Sequence, residues 1–204
     1  MEKEILKIVT NWNIKKFNSV YNSIKDQTKK DQIKKWFDLH MKQISDFCIK
    51  NFDKDNLTVN FIKNLHKIHY PKWYRRFKKS LDWKTEVCTM IPWEYKTIEN
   101  FPEVKPKDVK KEMEKIVDYY NKNYKNSKNI LDLISYFILN FIKIHPFWDW
   151  NWTVWFILFD LLLFYNWYKP IYIKKIFSKE EIYINIKKSI KNNDISFFKK
   201  AINL

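Results

Sequence analysis

Residues 144–156 read IHPFWDWNWTVWF, and the fold turns on how this stretch is read. Before it lies a nearly all-apolar segment, 129–144. After it runs another, up to Tyr165. Each has the length and composition of a buried helix, and Pro146 ends the first because its ring cannot continue the hydrogen-bond ladder. The two helices are therefore joined by a short His-Pro-Phe loop and a polar turn. Asp149 and Asn151 alternate there with indoles at 148, 150, 152 and 155. Asp-Gly and Asn-Gly are the strongest turn dipeptides, because glycine takes positive φ without steric cost. Bare backbone at the start of a helix also suits phosphate, through its exposed N–H groups and the positive end of the dipole. Here tryptophan stands where such a design wants glycine.

The whole chain repeats this pattern. It has ten Trp and no Gly among 204 residues, although glycine is ordinarily about 7% of a protein. Six of the ten follow Asn, Asp or Pro: Trp12, Trp83, Trp93, Trp150, Trp152 and Trp167. Arg occurs only as Arg75 and Arg76, and Ala only as Ala201, while Lys, Ile and Asn abound. That bias marks an AT-rich gene, in which Trp should be scarce unless UGA is decoded as an amino acid. We read most of these Trp as positions where the organism decodes UGA as glycine. Trp36, in an amphipathic run, is expected to be a genuine core Trp. The alternative is a truly Trp-rich protein without glycines.

Working outward, helical periodicity dominates. It predicts helices at 29–50, 56–69, 107–124, 129–144 and 151–165, the last ending at Asn166-Trp167 with a left-handed residue. Two further amphipathic helices are expected near 178–191 and 193–202. Residues 70–105 carry Pro71, Pro92 and Pro102 with turn signals and are not helical. Two strands, 85–90 and 94–98, are expected there as a hairpin. The predicted class is all-α with one short hairpin near 86–98. The expected organisation is N-terminal helices at 1–55, a core at 56–175 and C-terminal helices at 176–204.

Composition narrows the function. The net charge is +16, nearly all from scattered Lys. Without a basic cluster interleaved with aromatics, nucleic-acid binding is the weakest alternative. Cys48 and Cys88 form no CxxC and are expected to be reduced thiols of a cytoplasmic protein. Residues 1–10 carry Glu2 and Glu4 and no apolar signal core. The most apolar run, 154–165, is too short for a bilayer and contains Asp160, so no membrane span is expected.

The segment from His145 to Trp152 resembles the Fic (Fido) family signature, His-Pro-Phe-x-Asp/Glu-Gly-Asn-Gly-Arg-x-x-Arg. Ile91-Pro92-Trp93-Glu94-Tyr95-Lys96-Thr97 is similar to that family's Pro-Gly-x-Tyr-Arg flap segment. Residues 165–170, YNWYKP, look like its Gly-Tyr-x-Pro ending, and Leu65-His66 looks like an early Leu-His. The resemblance covers about residues 56–175. It implies transfer of AMP, or another phosphate-containing group, from a nucleotide to a Ser, Thr or Tyr hydroxyl of a target protein. ATP would be the substrate and Mg²⁺ the cofactor. The implied base is His145, and the implied metal ligand is Asp149. Asn151, Trp150, Trp152 and Thr153 would form the nucleotide-binding loop. Trp93, Glu94, Tyr95, Lys96 and Thr97 would form a flap that registers the target chain by strand addition. A separate inhibitor or antitoxin is a further expected partner.

Duller roles exist for the same residues. His145 would suit the end of the preceding helix, Asp149 would suit a cap of the next one, and Asn151 would suit a plain turn. One departure is independent of glycine. The two family Arg positions fall on Thr153 and Phe156, so the bidentate clamp on distal phosphates is missing. Lys143 or Lys96 is a candidate electrostatic substitute. A catalytically degenerate binding module with the same fold is the main alternative.

Overall fold

The computed structural model describes residues 1–69, 78–80, 87–89, 94–97, 104–147, 150–171 and 179–201. Its helices are α1 (Glu2–Ser23), α2 (Gln27–Asn51), α3 (Val59–His69), α4 (Val109–Tyr124), α5 (Ile130–Ile144), α6 (Asn151–Tyr165), α7 (Lys179–Asn192) and α8 (Ser196–Ala201). A 3-10 turn, Pro106–Asp108, opens α4. The predicted helices are all present, with ends that differ by a few residues. Asn129 caps α5 by accepting the Asp132 N–H, and Asp26 caps α2 by accepting that of Lys29.

The centre is α6. Ten of its residues, Asn151 and Asp160 included, are buried. It packs against α1, α3 and α5. A helix enclosed this way needs apolar side chains all round, which its sequence supplies. Alongside it, α5 buries Phe137, Ile138, Phe141 and Ile142, and α4 closes the layer with Met113, Ile116 and Tyr120. Among the described residues no helix is long and apolar enough to cross a membrane. Cys48 is a free, buried thiol that burial makes harder to ionise.

The hairpin differs from the expected one. β1 (Lys78–Ser80) pairs antiparallel with β2 (Val87–Thr89), in the register Lys78↔Thr89, Lys79↔Cys88 and Ser80↔Val87. The second predicted strand, 94–98, does not form over its described part, 94–97. The reason is local. The Lys96 N–H, which a ladder would need, donates instead to the Pro146 carbonyl at 2.9 Å.

Trp36 is not the core residue expected. It is exposed on α2 and stacks on His40, because the buried face of α2 runs through Phe37, Met41, Ile44 and Cys48. Trp12 also departs from its dipeptide signal, since Asn11-Trp12 lies inside α1 and not in a turn. Its indole N–H donates to Asp160 Oδ2 at 2.7 Å. The other Asp160 oxygen accepts the Ile171 N–H. Asp160 is fully buried, so one carboxylate ties α1 and the chain after α6 to the core. Asp160→Ala orphans both donors and should cost roughly 2–4 kcal/mol, lowering the melting temperature by about 4–16 °C for a chain of this size. Calorimetry of the two proteins checks this; an unchanged melting temperature would refute it.

Candidate active site

The site forms where α5 ends and α6 begins. His145 is the C-cap of α5, with φ 47° and ψ 62°. Its N–H still reaches Phe141 O at 3.0 Å. The left-handed region costs a non-glycine residue about 1–2 kcal/mol, and such outliers persist where surrounding contacts over-determine them. Trp150, the N-cap of α6, is also left-handed, with φ 60° and ψ 6°. His145 and Trp150 are thus two left-handed positions, at each of which glycine would be unstrained.

Asn151 closes that loop. Its Oδ1 accepts the Phe147 N–H at 3.0 Å, and its Nδ2 donates to Phe147 O at 2.7 Å. These two contacts fix which way the amide points. The same NH₂ group lies 3.4 Å from His145 Nδ1, so Nδ1 meets a donor. The neutral ring therefore holds its lone pair on Nδ1 and its proton on Nε2. Phe147 is fully buried and anchors the loop.

Sequence reasoning marked His66 only as part of a Leu-His match and gave His69 no place in the seat beneath the loop. His66 and His69, one turn apart on α3, are both buried. The His66 ring stacks on Phe147 at 3.9 Å. The His69 ring meets the Trp150 indole edge-on at 5.0 Å, and His69 Nε2–H donates to Asn13 Oδ1 at 2.7 Å. The i,i+3 spacing of these histidines on one helix face was the signal available. Trp150 thus turns its indole toward α3, and the loop backbone accepts it despite the left-handed angles.

The first turn of α6 carries no acidic residue and its N-cap makes no side-chain cap hydrogen bond; the N–H groups of that positive end have no acceptor within the helix. Trp152 is 38% exposed on that turn. Thr153 beside it is half-buried. Phe156 lies in an aromatic sandwich between Trp12 at 3.8 Å and Trp155 at 3.6 Å. Among the described residues no three His, Cys, Asp or Glu gather as a metal site. Asp149, the expected Mg²⁺ ligand, and Trp93 of the flap lie outside the described residues. The backbone at the α6 start suits a phosphate, whereas a side chain as large as the exposed indole of Trp152 suits it poorly.

Of the flap residues described, Glu94 and Thr97 are exposed, Tyr95 is half-buried and Lys96 is buried. Tyr95 packs near-parallel to Phe147 at 6.1 Å, and Lys63 Nζ lies 4.9 Å from its ring centre. Burial, with a smaller contribution from Glu114, pushes the Tyr95 phenol up to about 12, so it stays protonated at neutral pH. Lys96, a candidate electrostatic substitute for Arg, donates its ammonium to Ile144 O inside the protein. Lys143 is half-buried in the last turn of α5.

A helical core in which two apolar helices meet at a His-Pro-Phe loop, with a buried Asn holding that loop shut, is the arrangement of Fic domains. The Fic/DOC family model matches residues 56–163, more than half of this chain, and the chain belongs to that family. Among solved structures it is similar to Fic-1 from C. elegans, with a TM-score of 0.57 and 14% identity over 88% of this chain and 49% of that one. It is also similar to a Fic domain containing signaling protein from Bacteroides thetaiotaomicron, with a TM-score of 0.60 and 18% identity over 99% and 82% of the two chains. The chain spans about half the length of the Fic-1 chain it matches. At these identities the likeness is one of fold. No curated protein matches the sequence.

Proposed function

We propose that the protein is a Fic-type transferase that moves AMP, or another phosphate-containing group, from a nucleotide to a Ser, Thr or Tyr hydroxyl of a target protein. One observation carries this reading. His145 and the start of α6 face each other across a loop that Asn151 locks, with Asn151 Nδ2 at 3.4 Å from the His145 ring. A base and a phosphate-binding helix terminus are the parts that such a transfer asks of a protein.

In this reading the α6 N–H groups hold the α-phosphate. His145 takes the target hydroxyl's proton at Nδ1, where the hydroxyl displaces the long Asn151 contact, as the oxygen bonds to phosphorus and pyrophosphate leaves. Asp149 and the nucleotide phosphates would hold Mg²⁺, which neutralises phosphate charge. Glu94 and Thr97, being exposed, are the described flap residues open to a target chain. A separate inhibitor or antitoxin belongs to the same proposal.

The Phe156 sandwich favours a second reading. An aromatic ring held on both faces cannot serve as a phosphate clamp, and Thr153 offers one neutral donor where a guanidinium offers a bidentate, charged contact. A binding module that keeps the fold and no longer transfers is consistent with that. ATP labelled at the α- or the γ-phosphate separates the readings: label appears in protein from the α position for AMP transfer, from the γ position for phosphoryl transfer, and from neither for a binding module.

A further inference from the structure

We infer that Lys96 is a positioning residue for His145, joining the flap and the base into one rigid unit. The inference rests on the reading of His145 as the base. Lys96 is only 3% exposed, and a buried ammonium persists only where polar partners replace water. Its Nζ donates to Ile144 O at 3.1 Å. That carbonyl belongs to the last turn of α5, which lacks intrahelical partners and carries the negative end of the dipole. Its backbone N–H donates to Pro146 O at 2.9 Å. These two carbonyls stand on either side of His145. One residue therefore pins the peptide plane before a left-handed histidine and the plane after the proline that follows it, and that conformation needs outside support.

The same segment is fastened a third time, where Tyr95 packs on Phe147. Glu94 and Thr97 are exposed on either side of this pair. A target chain that moves them moves Tyr95 and Lys96, and hence the backbone that carries the imidazole. The sequence hides this link, because in a flap read as a strand Lys96 looks like one more surface cation.

The test is NMR of the histidine side chains in Lys96→Met and Lys96→Arg. Met keeps the length and removes both donor and charge, while Arg keeps them. In the unaltered protein the neutral His145 ring should show the Nε2–H tautomer. In Lys96→Met that signal should split or be lost, with His40 and His69 unchanged, and Lys96→Arg should restore it. An unaltered His145 signal in folded Lys96→Met overturns the inference. If Lys96→Met does not fold, the unaltered protein decides. Slowly exchanging Lys96 ammonium protons with a cross-peak to the His145 amide support the inference; rapid exchange without one overturns it. None of these readouts depends on transfer activity, so failure of the proposed function is seen separately. Where transfer is detected, Lys96→Met should lower kcat tenfold to about a hundredfold, as expected when a catalytic group is slightly misplaced, and should leave the KM for nucleotide nearly unchanged.

Discussion

Trp150→Gly with Trp152→Gly should tighten Mg²⁺–ATP binding by about tenfold to a hundredfold over the chain as written, the yield of one recovered N–H contact to a charged phosphate at about 1.5–3 kcal/mol. The N–H groups of the α6 first turn can then be approached without an indole beside them. Calorimetric titration of both proteins decides it, and equal affinity, or none in either, would show that this loop does not hold phosphate. Position 155 does not belong in the glycine set. Trp155 is buried against Phe159 and Phe198, and glycine there would leave a cavity costing roughly 3–5 kcal/mol.

Trp167 isolates the backbone argument from the site. Tyr168 N–H bonds Leu163 O and Trp167 N–H bonds Phe164 O, the Schellman ending that requires a left-handed residue at this place. Trp167 has φ 66° and is 95% exposed, so its indole packs on little. The same ending closes α7 with Asn193, a residue that tolerates the conformation. Trp167→Gly should therefore stabilise the protein by about 1–2 kcal/mol, raising the melting temperature by roughly 2–8 °C. On the same reasoning the codons for Trp150 and Trp167 should be TGA, and that for Trp12, which binds Asp160, should be TGG. TGG at 150 and 167 would end the recoding hypothesis.

The helices were legible because apolar periodicity is a local signal and α5 and α6 carry it strongly. The His-Pro-Phe loop was legible because proline and the Asp-Trp-Asn-Trp run break that signal at one place. Long-range polar contacts were not. Nothing local shows that Trp12 reaches Asp160, 148 positions away, or that His69 reaches Asn13, 56 positions away. The hairpin was misplaced because β-propensity does not say which N–H groups are already engaged. Lys96 gives its own to Pro146, and the pairing moves upstream to Lys78–Ser80.

With glycine at 150 and 152, His145→Ala should lower label transfer from α-labelled ATP by about 10²–10⁴, the usual contribution of a positioned general base. His145→Asn should lose as much activity while keeping the loop, since Asn tolerates the left-handed conformation that His145 holds. The pair therefore separates loss of the base from loss of the fold. Thr153→Arg in the same background should raise transfer by about tenfold or more, because a guanidinium on the first turn of α6 supplies a charge-assisted contact that threonine does not. The matching change at Phe156 should not help, because Arg there would break the stack between Trp12 and Trp155, and each such aromatic pair is worth about 0.5–1.5 kcal/mol beyond its burial. Melting curves recorded with each assay distinguish that loss of packing from an effect on chemistry. Undiminished transfer in both His145 variants would remove the base from the mechanism. The left-handed histidine, the Asn151 lock and the Lys96 contacts would then be features of the fold alone.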